Sequence, residues 1–208
     1  MKRGIHIERT SDHVKLTQKG LAQRVIEALQ MEDLPPVSTP VDKVIGKHPE
    51  GDPPDCAFNY ASVIGMLWHL CGHSRPVLGM AVSQAARFSI APKRSHELAL
   101  IRIGQCLKGT LDKGLIVKPM SADSFKMDVY VDSDFLGLCG QESRVDPDNV
   151  KSRVGYVILL NECPIIWSSH LNPSVCTSTM MAEHQLLSAA MREVLPLHDI
   201  VQAVGEGL

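Results

Sequence analysis

The fold of this 208-residue chain is decided by the stretch Lys126-Met127-Asp128-Val129-Tyr130-Val131-Asp132-Ser133-Asp134. Met127, Val129 and Val131 alternate with polar or aromatic residues, and this period of two is typical of a β-strand. The strand ends in two carboxylates, Asp132 and Asp134, where a loop follows. A sheet fixes the direction of such side chains while the loop leaves room for water and substrate, so we predict a candidate metal site there.

Other strands and one long helix are expected around this stretch. Residues 115–118, 153–160 and 164–168 are rich in β-branched and aromatic residues and predict further strands. A helical period then runs from about residue 178 to 203, and Pro196 is expected to kink or divide that helix because it lacks a backbone donor. The fold class is therefore an α/β mixture in which a long helix packs against a small sheet.

The long helix supplies a further carboxylate, Glu183. It lies in line with Leu187, Ala190 and Val194, the stripe that is expected to face the sheet. A carboxylate in such a stripe is costly unless it is neutralised, and a divalent cation shared with Asp132 would do so. The spacing leaves open the alternative that Glu183 lies at a solvated helix N-terminus, where the helix dipole favours negative charge.

The N-terminal part of the chain predicts a hairpin followed by helices. Strands are expected at residues 4–9 and 14–16, and a helix follows them. Closely spaced prolines and glycines in residues 32–58 predict an extended connector that is not a packed element. Three helices are expected between residues 59 and 108, and Asn59 is the predicted N-cap of the first.

Charge is distributed unevenly along the chain. Residues 1–118 carry 16 Lys or Arg against 11 Asp or Glu, whereas residues 119–208 carry 5 against 12. Most of the positive excess lies in residues 75–118, and this sign of charge favours a polyphosphate partner. The candidate nucleic-acid-binding residues are Arg75, Arg87, Lys93, Arg94, Arg102 and Lys108. The alternative is that these side chains are the solvated faces of amphipathic helices.

Composition and the absence of several motifs exclude other classes. The mean hydropathy is 0.00 and charged residues make up 21%, which is typical of a globular chain. Without a long apolar run or a secretory signal, the chain is expected to be cytoplasmic or nuclear, not secreted, and without membrane partners. Six widely spaced cysteines predict reduced thiols. The sequence has no phosphate-binding glycine loop and no Gly-x-Ser-x-Gly motif, which excludes Rossmann, kinase and serine hydrolase classes.

Four blocks of the C-terminal half carry a recognisable order. They are Tyr130-Val131-Asp132-Ser133-Asp134-Phe135, Lys151-Ser152-Arg153-Val154-Gly155-Tyr156, Pro164-Ile165-Ile166-Trp167-Ser168-Ser169 and Ser178-Thr179-Met180-Met181-Ala182-Glu183-His184. The N-terminal half adds blocks at residues 58–67, 73–76, 81–84 and 107–110. In this order and spacing, the blocks resemble the Pol polyproteins of copia-type LTR retrotransposons over nearly the whole chain.

The resemblance implies the C-terminal region of a reverse transcriptase joined to a partial ribonuclease H-like domain. Residues 1–31 would be the trailing edge of the polymerase palm, 32–58 the connector, 59–112 a helical thumb-like subdomain and 113–208 a truncated ribonuclease H-like domain. The implied fold is a palm-edge hairpin and helical subdomain, followed by an incomplete ribonuclease H-like sheet with a long packing helix. The implied partners are an RNA–DNA hybrid or other nucleic acid and the remainder of a Pol polyprotein.

The family's ribonuclease H domain cleaves the RNA strand of RNA–DNA hybrids with two Mg²⁺ ions held by four carboxylates. By this resemblance Asp132 is the first catalytic ligand, Glu183 is the second, and Asp134 is a further candidate. The other two ligands and the polymerase catalytic motif do not occur in the 208 residues, so we expect weak or absent Mg²⁺ binding and an inactive chain. The alternatives are a residual module that binds nucleic acid without sequence specificity, and an inert decayed fragment.

Overall fold

The computed structural model describes residues 4–55, 57–118, 126–139 and 146–206. These residues form six strands and five α-helices, which confirms the predicted mixture of helices and sheets. The chain divides into two compact units. The first unit comprises Met1–Arg9 and Lys15–Ile116, and the second comprises Thr10–Val14 and Val117–Leu208.

The elements follow one another in an order close to the predicted one. They are β1 (His6–Arg9), β2 (Val14–Thr17), α1 (Lys19–Ala28), α2 (Tyr60–His73), α3 (Gly79–Ala86), α4 (Arg94–Lys108), β3 (Leu115–Val117), β4 (Met127–Asp134), β5 (Lys151–Leu160), β6 (Cys163–Val175) and α5 (Thr179–Glu206). Short 3₁₀ turns occupy Pro76–Leu78 and Pro147–Val150. Strands β1, β2 and β3 form one sheet in that order, and β4, β5 and β6 form the other.

Helices α1 to α4 enclose the core of the first unit. As predicted, Asn59 caps α2, because its side chain accepts a hydrogen bond from the backbone N–H of Ser62 at 2.9 Å. On α4, Leu100, Ile103 and Leu107 recur at helical spacing and are fully buried. Each buried side chain of this size contributes about 1.5–3 kcal/mol, so the apolar faces of the helices hold this unit together.

The proline-rich residues 32–58 are packed along α4, which differs from the expected unpacked connector. Five hydrogen bonds show the direction in which the connector follows α4. In the order of the connector residues, they join Leu34 O to Lys108 Nζ (2.8 Å), Pro35 O to Gln105 Nε2 (2.8 Å), Thr39 Oγ1 to Arg102 Nη2 (3.1 Å), Gly46 O to His96 Nε2 (2.7 Å) and Asp55 N to Glu97 Oε2 (2.8 Å). The connector therefore runs antiparallel to the helix. Backbone groups that lack a strand or helix partner are satisfied here by side chains of α4.

His96 is fully buried beneath this connector. Its Nδ1 accepts a hydrogen bond from the backbone N–H of Lys93 at 2.9 Å, so Nε2 carries the proton that is donated to Gly46 O and the ring is neutral. The ring stacks on Phe88 with centroids 3.9 Å apart. Burial lowers the pKa of His96, and the nearby positive charges of Arg87 and Lys93 act in the same direction, against the hydrogen bond to Gly46 O.

We expect the first unit to lose stability as the pH falls from about 7.5 to 5. An unfolded histidine titrates near pH 6.5 and the folded pKa of His96 is lower, so the unfolded state binds more protons in this range. The slope for one proton is at most about 1.4 kcal/mol per pH unit. Urea denaturation at several pH values measures the free energy of unfolding of the first unit. The background variant is Trp167→Phe, in which Trp68 is the only tryptophan. Equal pH dependence in a His96→Gln variant would contradict the assignment to His96.

The second unit consists of an antiparallel sheet covered by one helix. Strand β4 pairs with β5 from Met127 opposite Leu160 to Asp134 opposite Arg153, and β5 pairs with β6. Within the described ranges β4 pairs only with β5, so it is an edge strand. Helix α5 packs on β4 and β5. The buried apolar residues of this unit are Leu138, Val154, Ile158, Cys163, Cys176, Ala182, Leu186 and Ala190.

Helix α5 differs from its sequence prediction in two respects. It continues through Pro196 as one helix instead of being divided there. Its buried stripe consists of Ala182, Leu186 and Ala190, so Glu183 and Leu187 lie beside the stripe and are exposed. The difference in register arises because the helix carries a second apolar stripe, formed by Leu187, Met191 and Leu195, which is exposed to solvent.

Two remaining expectations concern membranes and cysteines. In the part of the chain that the structure describes, no helix is both long enough and apolar enough to cross a membrane. Among the described residues, no disulfide joins Cys71, Cys106, Cys139, Cys163 or Cys176, and Cys56 lies outside the described residues. Burial raises the pKa of the Cys71 thiol to about 12, so this thiol stays protonated and packs in the core.

Candidate metal centre at the edge of the second sheet

Asp132 and Glu183, the two predicted catalytic carboxylates, border one cavity. Asp132 comes from β4 and Glu183 from α5, and the cavity has a volume of about 490 Å³. Its other lining residues are Val131, Ser133, Met180, His184, Leu186 and Leu187. Two residues that lie 51 positions apart in the sequence thus meet at the edge of the sheet because α5 packs back onto β4.

The register of the sheet leaves space beside Asp132. Its partner on β5 is Gly155, so no side chain stands opposite it on that strand. Strand alternation places Asp132 on the other face from Val131 and Ser133, yet all three border the cavity because β4 is an edge strand. Asp132 is exposed, and its carboxylate is therefore open to water and to ions.

Glu183 lies in the second turn of α5, near the N-terminus of the helix, and is exposed. This exposure agrees with the alternative of a solvated carboxylate, although Glu183 lies beyond the first turn, where the helix dipole acts most strongly. Its position on the cavity also leaves it available to a cation. Mg²⁺ prefers oxygen ligands, keeps several of its waters and is often bound by only one or two carboxylates together with substrate phosphates, so the two side chains fit a solvated Mg²⁺.

Asp134 does not join this cavity. It lies two residues after Asp132 on the same strand, but it is not among the lining residues. A Cβ atom added at Gly137 would overlap the Asp134 carboxylate, so this side chain lies against the turn that follows β4. Within the described residues, no group of three or more His, Cys, Asp or Glu side chains could hold a metal ion.

Most of the predicted nucleic-acid-binding cations have partners inside the first unit. Arg75 is only 5% exposed and donates to the carbonyl oxygens of Thr110 and Lys113. The other contacts are Arg94 with Asp55 (2.6 Å) and Glu97 (3.2 Å), Arg102 with Asp42 (3.5 Å), Lys108 with carbonyl oxygens of the connector, and the Arg87 guanidinium 5.1 Å from the Phe88 ring centroid. Arg94, Arg102 and Lys108 thus hold the connector, and Arg75 holds the chain after α4. A role of the six predicted cations in nucleic-acid binding stays a prediction.

Sequence reasoning missed a polar stripe on α5. His184, Ser188 and Arg192 repeat every four residues and border a second cavity beside the first. The sequence signal is the helical spacing of these polar residues, which places them on one side of the helix. The apolar stripe is the stronger periodic pattern on this helix, so it alone determines the orientation that the sequence predicts.

The chain is similar over nearly its whole length to retrovirus-related Pol polyproteins from transposons, which confirms the predicted resemblance. It is 26% identical over 204 residues to the Pol polyprotein from transposon RE2 of Arabidopsis thaliana, and 29% identical over 205 residues to that from transposon TNT 1-94 of Nicotiana tabacum.

The chain spans a small part of these polyproteins. The two alignments cover 97% and 95% of this chain but 13% and 15% of the relatives. An uncharacterized mitochondrial protein of Arabidopsis thaliana is 26% identical over 197 residues, which cover 92% of this chain and 75% of that protein. No protein-family profile and no solved structure matches the chain.

Proposed function

We propose that the second unit is the metal-binding part of a ribonuclease H-like nuclease within a retrotransposon Pol polyprotein, and that the first unit is the palm edge and thumb-like region of the reverse transcriptase. The observation that supports this proposal is the cavity shared by Asp132 and Glu183, in a chain similar to transposon Pol polyproteins. The proposed substrate is the RNA strand of an RNA–DNA hybrid. The proposed partner is the remainder of a Pol polyprotein, in the cytoplasm or nucleus.

The proposed chemistry assigns a positioning task to each element. The β4–β5 ladder fixes the backbone at Asp132, and the packing of Leu186 against the sheet fixes the turn of α5 that carries Glu183. A bound Mg²⁺ would polarise a phosphoryl oxygen and lower the pKa of a bound water. Asp132 and Glu183 would hold the ion from two rigid elements, and water and phosphate oxygens would supply its other ligands.

We further propose that these 208 residues on their own bind Mg²⁺ weakly and do not cleave hybrids at a useful rate. Two carboxylates neutralise a single divalent cation, whereas hydrolysis with two cations on either side of one phosphorus needs a denser set of negative ligands. A module that binds nucleic acid through the first unit is the weaker alternative, because Arg75, Arg94, Arg102 and Lys108 have partners within that unit.

The Mg²⁺ site is tested by calorimetric titration of the full chain. Wild type is expected to bind one Mg²⁺, and Asp132→Asn and Glu183→Gln are each expected to lower the affinity by about tenfold or more, roughly 1.4 kcal/mol. Glu193→Gln is the matched control, because Glu193 is an exposed carboxylate of α5 that does not line the cavity.

Two outcomes would contradict these proposals. Equal Mg²⁺ affinity in wild type, Asp132→Asn and Glu183→Gln would contradict the proposed metal site. Mg²⁺-dependent cleavage of an RNA–DNA hybrid by the wild type, abolished in Asp132→Asn, would overturn the proposed inactivity and would support the site itself.

A further inference from the structure

The second cavity of this unit lies between α5 and β6 and has a volume of about 500 Å³. Its polar lining comes from His170, Asn172 and Ser174 on β6 and from His184, Ser188 and Arg192 on α5. No Asp or Glu is among its lining residues. This composition contrasts with the surrounding residues 119–208, which carry 12 acidic against 5 basic side chains.

Hydrogen bonds between β6 and α5 hold the walls of this cavity. Asn172 Nδ2 donates to Gln185 Oε1 at 2.9 Å, and Asn172 Oδ1 accepts from the backbone N–H of Ser174 at 3.1 Å. Asn172 is buried, so this bridge is shielded from water. His170 Nδ1 lies 3.0 Å from Ser168 Oγ, which fixes the ring. The side chains of Asn172 and His170 are thus held in place before any ligand binds.

Arg192 differs from other cations of the unit. Lys126 pairs with Asp128 at 3.0 Å and Lys151 pairs with Asp148 at 2.9 Å. Among the residues that the structure describes, Arg192 makes no hydrogen bond and no ion pair. Its charge is therefore available to a ligand in a cavity whose walls contain no competing carboxylate.

We propose that this cavity binds a phosphate group of a nucleic-acid backbone. The guanidinium of Arg192 matches the geometry of two phosphate oxygens, and His170 and His184 add ring N–H donors. Burial and the nearby Arg153 lower the pKa of His170, so its ring is neutral at neutral pH and carries one N–H. In the tautomer whose Nδ1 accepts from the Ser168 hydroxyl, that N–H is on Nε2 and can be donated to a phosphate oxygen.

The two cavities of the unit are neighbours. They share His184 and Leu186 as lining residues. Arg192 follows Glu183 by nine positions, or two and a half helical turns, so the two side chains lie on opposite sides of α5 and the two cavities flank the helix. The proposal that the cavity binds phosphate depends only on the residues that line it. The assignment of that phosphate to a nucleic-acid backbone rests on the proposed function.

The test uses the full chain in EDTA, so that it does not depend on the metal site. Inorganic phosphate is titrated while NMR follows the ring Cε1–H signals of His170 and His184, and fluorescence anisotropy measures binding of a labelled RNA–DNA hybrid at low salt. We expect saturable shifts of both signals in the wild type. Arg192→Gln is expected to lower the affinity for each probe by about fivefold or more. Arg9→Gln, at an exposed arginine of β1, is the matched control and is expected to change either affinity by less than about twofold.

The outcomes separate this inference from the proposed function. Absent shifts with phosphate, or equal effects of Arg192→Gln and Arg9→Gln, would overturn the phosphate cavity. Weaker phosphate binding with unchanged hybrid binding in Arg192→Gln would support the cavity and overturn its assignment to a nucleic-acid backbone. Because Mg²⁺ is absent, failure of the Asp132 and Glu183 site leaves these results unaffected.

Discussion

Replacing Leu186 by alanine is expected to destabilise the second unit by about 3 kcal/mol. Leu186 is 2% exposed, and its removal leaves a cavity between α5 and the sheet. Leu187→Ala, one residue further along the helix, is expected to cost less than about 1 kcal/mol, because Leu187 is 48% exposed. The pair of variants deletes the same atoms from two sides of one helix, so the difference between them measures the register of α5.

Urea denaturation in a Trp68→Phe background measures this difference, because Trp167 on β6 is then the only tryptophan. Leu186→Ala is also expected to weaken Mg²⁺ binding, since Leu186 fixes the turn of α5 next to Glu183 and borders the carboxylate cavity. A larger loss for Leu187→Ala than for Leu186→Ala would show that the stripe predicted from the sequence is the buried one.

Replacing Gly114 by alanine is expected to destabilise the first unit by about 3 kcal/mol. A Cβ atom at this position would overlap the carbonyl oxygen of Leu16 and would lie 2.8 Å from Thr17 Cγ2. Leu16 and Thr17 belong to β2, which pairs with β3 directly after Gly114, so the backbone cannot move away without loss of strand pairing.

Gly65→Ala is the matched control for Gly114→Ala. Gly65 lies in the interior of α2, and a Cβ atom added there meets nothing within 4 Å. Alanine is therefore expected to stabilise the first unit by about 0.5–1 kcal/mol, because it restricts the unfolded chain and favours the helix. Thermal or urea denaturation in the Trp167→Phe background measures both variants. A neutral Gly114→Ala variant would show that β2 and β3 do not approach as closely as described.

Local patterns predicted the features that depend on local structure. The alternation of Met127, Val129 and Val131 predicted β4, and the side chain of Asn59 predicted the start of α2. Both signals act within a few residues, so they do not depend on the rest of the fold. The register of α5 was not predictable in this way, since two apolar stripes compete and only packing against Val154 and Ile158 decides between them.

The candidate site was predictable in part. Asp132 and Glu183 were found because carboxylates at a strand end and near a helix start are recognisable in the sequence, and because both lie in blocks that resemble Pol polyproteins. The cavity of Arg192 was missed because it depends on which part of β6 comes next to α5. Packing of the connector was missed for the same reason, since its partners on α4 lie 39 to 76 positions away, from Asp55 with Arg94 to Glu32 with Lys108.

The connector of residues 32–58 limits where the protein can be divided, because it packs along α4. Met31 and Ile45 belong to the same buried cluster as residues of α1, α2 and α4, so the hairpin side and the helical side are not separate modules joined by a tether. An expression boundary placed in this proline-rich stretch would split one cooperative folding unit and leave apolar surface of α4 open to aggregation. A boundary after β3, where the chain passes into the second unit, keeps the connector and helices α1 to α4 in one piece.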